Sequence, residues 1–258
     1  MTNSWIISFD RRPDAELRLF CFPHAGVGGS IYRSWSDRLP GWIELSAVQL
    51  PGRESRFRER PFRNVDALVE AVKEGLAPFL DRPFAFFGHS MGAIVAYEVA
   101  RVLEEGHGPR PGHLFVSGRR APHLPPREPP MTHLPDEAFV AEVGRRYGGI
   151  PDPLLEQPDL LSIFLPALRA DMEALEAYAY RPGASLTCPV TAYGGKADPW
   201  AGAPELEAWA ASTTARFGMR LFEGGHFFLE AAGSKLVADV VGKLAARRRE
   251  AASHPTAT

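Results

Sequence analysis

The chain is short of cysteine, of long apolar runs and of net charge, and each shortage excludes a class of protein. Its 258 residues include only two cysteines, Cys21 and Cys188. A disulfide framework or a thiolate metal cluster needs more. Both cysteines sit inside short apolar runs and read as reduced core residues, because buried cysteine behaves as a small apolar side chain. Nowhere do about eighteen apolar residues follow one another, so no helical membrane span is expected. The opening MTNSWIISFDRRPD lacks the cationic start and apolar core of a secretory leader, which points to a cytoplasmic protein. The formal charge of −2 offers no general electrostatic footprint for nucleic acid. Apolar residues at 45% and charged residues at 23% match ordinary globular usage, so neither a disordered nor a fibrous chain fits.

What the chain does have is an alternation of short apolar runs with helical patterns. ELRLFCFP (16–23), WIELSAVQLP (42–51), PFAFFGH (83–89), HLFVSG (113–118), CPVTAYGG (188–195) and MRLFEGG (219–225) are nearly continuous apolar stretches. Such runs fit strands buried on both faces, as in a parallel sheet covered by helices. AIVAYEVARVLEEG (93–106) is apolar most of the way round and predicts a buried helix that Gly106 stops. SKLVADVVGKLAARRREAA (234–252) predicts a C-terminal helix, followed by a polar end that should fray. The fold class expected is α/β, with a mostly parallel central sheet.

Residues 120–185 break that alternation. APHLPPREPP carries five prolines in ten residues, which no helix or central strand tolerates. Two helical segments follow, and in the second Leu161, Phe164, Leu165, Leu168, Met172 and Leu175 repeat at i, i+3, i+4 spacing. The expected organisation is a core of 1–119 and 186–258 with a helical insertion at 120–185. Most of the apolar residues on that face are expected to pack within the insertion.

GHSMG (88–92) places Ser90 between two glycines, after an apolar strand and before a helix. In that setting G-x-S-x-G marks a sharp strand-to-helix turn that exposes a serine nucleophile. A serine hydroxyl is a weak nucleophile at neutral pH and needs a base, which in turn needs an orienting group. In this class of turn the partners follow in the order serine, acid, histidine. Of the histidines beyond the fifth and sixth runs, His254 lies in the polar end and His226 directly follows the last strand, so His226 is the candidate base. Asp198, in the glycine-rich exit TAYGGKADPW, is the candidate acid; Asp171 and Asp152 are alternatives within the insertion. An oxyanion formed at Ser90 would need two donors. The Met91 N–H is one, and the loop FPHAGVGGS (22–30) offers Ala25, with Gly26 the near alternative.

With these landmarks in place the chain resembles the type II thioesterases that accompany modular polyketide and nonribosomal peptide synthetases. The resemblance rests on FPHAGVGGS, VQLPGRESR (48–56), FFGHSMGAIVAYEVAR (86–101), LFVSGRRAP (114–122), GGKADPW and GGHFFL, which span nearly the whole sequence. It departs from many relatives at Val27, which separates glycines that are adjacent elsewhere. The resemblance implies an α/β-hydrolase fold with a helical lid. It also implies hydrolysis of acyl thioesters on the phosphopantetheine arm of acyl or peptidyl carrier proteins, without metal or other cofactor. Ser90, Asp198 and His226 occupy the family's triad positions. A medium-chain fatty acyl carrier-protein thioesterase or a carboxylesterase on the same fold is the alternative, and a binding protein that keeps the scaffold without catalysis is a more distant one. The start at Met1 and the polar end favour a stand-alone protein over an excised domain, with a monomer as the default. The arginine-rich stretch GRESRFRER (52–60) reads as a solvated loop, or as a surface in which Arg56 and Arg58 steer an acidic carrier protein.

Overall fold

The structure is a computed structural model that describes residues 4–127, 129–148 and 157–253. Among these, one sheet of seven strands runs through the molecule. The strands are β1 (Ile6–Ile7), β2 (Leu17–Phe22), β3 (Ile43–Val48), β4 (Phe84–His89), β5 (Leu114–Ser117), β6 (Val190–Gly195) and β7 (Phe217–Phe222). Their order is β1-β3-β2-β4-β5-β6-β7. All neighbours are parallel except β1, which pairs antiparallel with β3 through Ile6 opposite Val48.

The apolar runs are continuous because both faces of the sheet are covered. Along β4, Phe84 and Phe86 join a core cluster with α1 (Val65–Leu76) and α2 (Met91–Glu105), while Ala85 and Phe87 face a second cluster with α5 (Leu229–Ser253). Phe86 and Phe87 are completely buried, each contributing about 2–3 kcal/mol of transfer free energy. Both cysteines are free and buried in these clusters. Asn64 caps α1 by accepting the Ala67 N–H at 3.0 Å.

Helices α3 (Asp136–Tyr147) and α4 (Pro158–Ala177) lie between β5 and β6 in the chain. They pack on each other through Phe139, Val140, Val143, Leu165, Leu168 and Met172, a cluster separate from the two beneath the sheet. Helix α4 runs through Pro166, although proline removes one helix hydrogen bond. The burial of Leu165, Ala167 and Leu168 around it holds the helix despite that loss. Helix α5 begins at Leu229, five residues before the apolar periodicity announces it. Its first turn is secured by the Ala232 N–H donating to the Phe228 carbonyl at 2.8 Å.

Candidate active site

The carboxyl ends of β2, β4, β5, β6 and β7 converge on one edge of the sheet, where open α/β sheets place their ligands. At the end of β4 the chain turns into α2 at Ser90 with φ 53° and ψ −115°. That is a strained backbone for a residue with a side chain. The flanking glycines make it possible. A Cβ at Gly88 would lie 2.1 Å from the Gly92 carbonyl oxygen, and one at Gly92 would lie 2.2 Å from that of Phe22. The Ser90 N–H donates to the Ser117 carbonyl at 2.8 Å, which ties the turn to the end of β5.

Loops from the next two strands bring the remaining groups over this turn. The loops after β6 and β7 are joined backbone to backbone, with Lys196 N–H donating to Phe222 at 2.8 Å and Ala197 N–H to Gly224 at 2.9 Å. Asp198 and His226 are thereby set side by side. His226 Nδ1 lies 2.8 Å from Asp198 Oδ2, and Nε2 lies 3.0 Å from Ser90 Oγ. With the proton on Nδ1 donated to the carboxylate, Nε2 keeps a lone pair for the serine hydroxyl. The second carboxylate oxygen accepts the Trp200 N–H at 2.9 Å. Ser90, Asp198 and His226 are 8%, 4% and 5% exposed, so the charges of this network act in a low dielectric. Two further histidines pack around His226. Burial holds His24 at about 4 and His89 well below its ordinary value, so both stay neutral.

The loop after β2 is held from the α4 side. Gly26, at φ +83°, donates its N–H to Asp171 Oδ2 at 2.7 Å. A Cβ there would meet the Phe164 ring at 2.7 Å. Asp171 is paired with Arg53 through contacts of 2.5 and 2.9 Å, and the side chains are 3% and 5% exposed. Asp171 is therefore engaged away from His226, and the Gly26 amide is already committed. The Ala25 N–H remains in the same turn. Asp152 and His254 lie outside the described residues.

These contacts correct the expectation for the arginine-rich stretch. Arg56 is buried, donates to Glu59 at 2.8 and 2.6 Å and to the Gln49 carbonyl at 3.0 Å, and stacks 4.0 Å over the Trp5 ring. It is part of the packing and not a steering charge. Arg58 and Arg60 are exposed, and Arg63 pairs with Glu173 of α4.

Above Ser90 is a cavity of about 310 Å³, lined by Val27, Ile31, Phe164, Leu168, Met172 and Leu175 among others, with His226 at its base. Leu165 turns away into the α3–α4 packing, whereas Leu168 and Met172 serve both packing and cavity wall. The Tyr147 ring lies 5.1 Å from the His226 ring. Sequence reading missed Tyr147, the Ser117 carbonyl and the Arg53–Asp171 pair.

Residues 17–245 match the model of the thioesterase domain family. The chain belongs to that family. It is 42% identical over 246 residues to the thioesterase PikA5 of Streptomyces venezuelae, covering 95% of this chain and 86% of the relative. It is 42% identical over 227 residues to the gramicidin S biosynthesis protein GrsT of Aneurinibacillus migulanus, covering 88% of each. Among solved structures, RedJ, a thioesterase of the prodiginine pathway in Streptomyces coelicolor, superimposes with a TM-score of 0.84 at 44% identity, over 90% of this chain and 92% of that one. The fold is that of the α/β hydrolases, and the protein is a hydrolase of thioesters. No helix among the described residues is long and apolar enough to cross a membrane.

Proposed function

We propose that this thioesterase edits acyl groups held on the phosphopantetheine arm of carrier proteins in a polyketide or nonribosomal peptide synthetase, with Ser90, His226 and Asp198 as its triad. The observation that carries the reading is the unbroken chain Ser90 Oγ, His226, Asp198 at 3.0 and 2.8 Å beneath a mostly apolar cavity. The family supplies the thioester, and relatives named for gramicidin S biosynthesis and the prodiginine pathway supply the setting.

His226 Nε2 takes the Ser90 proton as the hydroxyl oxygen attacks the thioester carbonyl carbon. The Met91 and Ala25 N–H groups hold the oxyanion, Met91 from the start of α2, where amides lack helical acceptors and the dipole end is positive. The tetrahedral adduct collapses, the C–S bond breaks and the imidazolium gives its proton to the departing thiol. Water, deprotonated by His226, then attacks the acyl-serine ester and releases the acid, returning Ser90 its proton. Every proton has a side-chain carrier, so the scheme calls for no metal or other cofactor. Helices α3 and α4 act as a lid over the acyl chain, and a cavity at the small end of the usual ligand-pocket range suits short acyl groups. Exposed Arg58 and Arg60 face the acidic carrier protein.

Hydrolysis of carrier-bound acyl thioesters from acetyl to decanoyl, beside matched p-nitrophenyl esters, tests the proposal with wild type and Ser90→Ala. Turnover of the short carrier thioesters that vanishes in the variant is expected. Cleavage of the free esters alone would move the protein to the carboxylesterases, and a decanoyl preference would move it to fatty acid synthesis.

A further inference from the structure

A second cavity, of about 510 Å³, opens beside the acyl pocket and shares Tyr147, Met172, Leu175 and His226 with it. Its walls differ. Arg119, Arg120, Arg127 and Arg146 line it, against one carboxylate among the described residues, Glu176. Glu176 is occupied, accepting the Met131 N–H at 2.6 Å and the Thr132 hydroxyl. Arg127 pairs with Glu205 at 2.9 Å and Arg146 with Glu142 at 2.7 Å.

Arg119 and Arg120 are left over. Among the described residues neither guanidinium has a hydrogen bond or an ion pair, and Nε of Arg119 and Nε and Nη1 of Arg120 are buried without a partner. Both side chains are half-buried, and because an arginine keeps its charge at any ordinary pH, nitrogens withdrawn from water without a partner carry a desolvation cost. Fully buried arginines among the described residues are paired: Arg53 with Asp171, Arg18 with Glu44, Arg101 with Glu98. The backbone that carries the exception is fixed. Trp209 Nε1–H donates to the Arg119 carbonyl at 2.7 Å, and Gly118 turns at φ +57° where a Cβ would strike the His89 ring. Two residues earlier, the Ser117 carbonyl holds the amide of Ser90 itself.

We propose that Arg119 and Arg120 form an anion-binding subsite that takes a negatively charged group of the substrate in the cavity beside His226. The fork of N–H donors on a guanidinium suits the paired oxygens of a phosphate or a carboxylate. This proposal rests on the function proposed above, in which a thioester presents two such groups: the phosphate of the pantetheine arm and a carboxylate on the acyl chain. The two cavities then divide the substrate at His226, with apolar acyl chain in one and the charged group in the other.

The test compares kcat/KM for propionyl-pantetheine, propionyl-phosphopantetheine and methylmalonyl-pantetheine, in wild type and in the Arg119→Gln/Arg120→Gln variant. A charge-assisted hydrogen bond contributes roughly 1.5–3 kcal/mol, so wild type should prefer one charged thioester by about ten- to a hundredfold. In the double variant that ratio should fall to near one. Preference for the phosphorylated arm assigns the site to phosphate, and preference for methylmalonyl assigns it to carboxylate. Equal turnover of all three by wild type, or a preference that survives in the double variant, overturns the proposal. If none of the thioesters is cleaved, the proposed function falls, and calorimetric titration of phosphopantetheine, methylmalonate and pantetheine still decides the subsite. Tighter binding of either anion than of pantetheine, lost in the double variant, supports it; equal affinities overturn it.

Discussion

Two arginine-bearing loops flank Ser90 and use their charge in opposite ways. On one side Arg53 and Arg56 are buried and fully engaged, Arg53 reaching across to Asp171 on α4 and through it to the Gly26 amide. On the other side Arg119 and Arg120 carry buried nitrogens with no partner. In the first loop Arg53 holds the turn at Gly26 and Arg56 packs over Trp5, so these two arginines are structural. In the second, no described residue pairs with those nitrogens, and we assign them to a charge of the substrate. The sequence alone does not separate the two cases; the partners in the structure do.

The largest expected effect follows from breaking the paired side. Asp171→Leu strands the Arg53 guanidinium in the interior and should cost about 3–5 kcal/mol in denaturant unfolding, while Arg53→Met combined with Asp171→Leu should recover most of that loss. Arg119→Met removes no protein partner and should change stability by less than about 1 kcal/mol, or raise it. If the two single substitutions cost the same, the contrast between the loops is wrong. A milder change sharpens the mechanism. Asp171→Asn keeps an acceptor for the Gly26 N–H but weakens the Arg53 clamp, so kcat should fall about tenfold with KM nearly unchanged, as for a group that positions an oxyanion donor. A fall confined to KM would place the pair in substrate binding instead.

Much of this architecture was legible from the residues, for physical reasons that also explain the gaps. The parallel strands declare themselves because both their faces are buried, whereas β1 is two residues long, too short for any periodicity. That Ser90, Asp198 and His226 come together was readable because the fold fixes the order in which loops reach one edge of the sheet, although 136 residues separate Ser90 from His226. The burial of Arg53 was not findable, because its partner Asp171 stands 118 residues away on another element. A run such as GRESRFRER reads as solvated until that partner is seen. The helix through Pro166 was readable because its apolar spacing continues across the proline.

Two smaller effects complete the comparison. The buried histidines near the triad make stability depend on pH. His24 is held at about 4 and His89 well below 6.5, so the unfolded chain binds protons that the folded one refuses. Their contribution is fully present above about pH 6.5 and drains as pH falls toward 4. The melting temperature should therefore drop steadily between pH 7 and pH 4.5, and a flat profile would count against their neutral burial. Among the exposed arginines, Arg58→Glu with Arg60→Glu should lower kcat/KM for a carrier-bound thioester several-fold at low salt, with little effect on a free pantetheine thioester. Arg56→Glu should instead lower the melting temperature, because Arg56 is packed over Trp5.

The most direct test of the central claim is rapid-quench intact mass spectrometry of the protein mixed with a propionyl-carrier protein. A transient single propionyl adduct is predicted, mapping to Ser90 by peptide analysis, absent in Ser90→Ala and formed far more slowly in His226→Ala. Hydrolysis at full rate by Ser90→Ala, or an adduct on any other residue, would contradict the account.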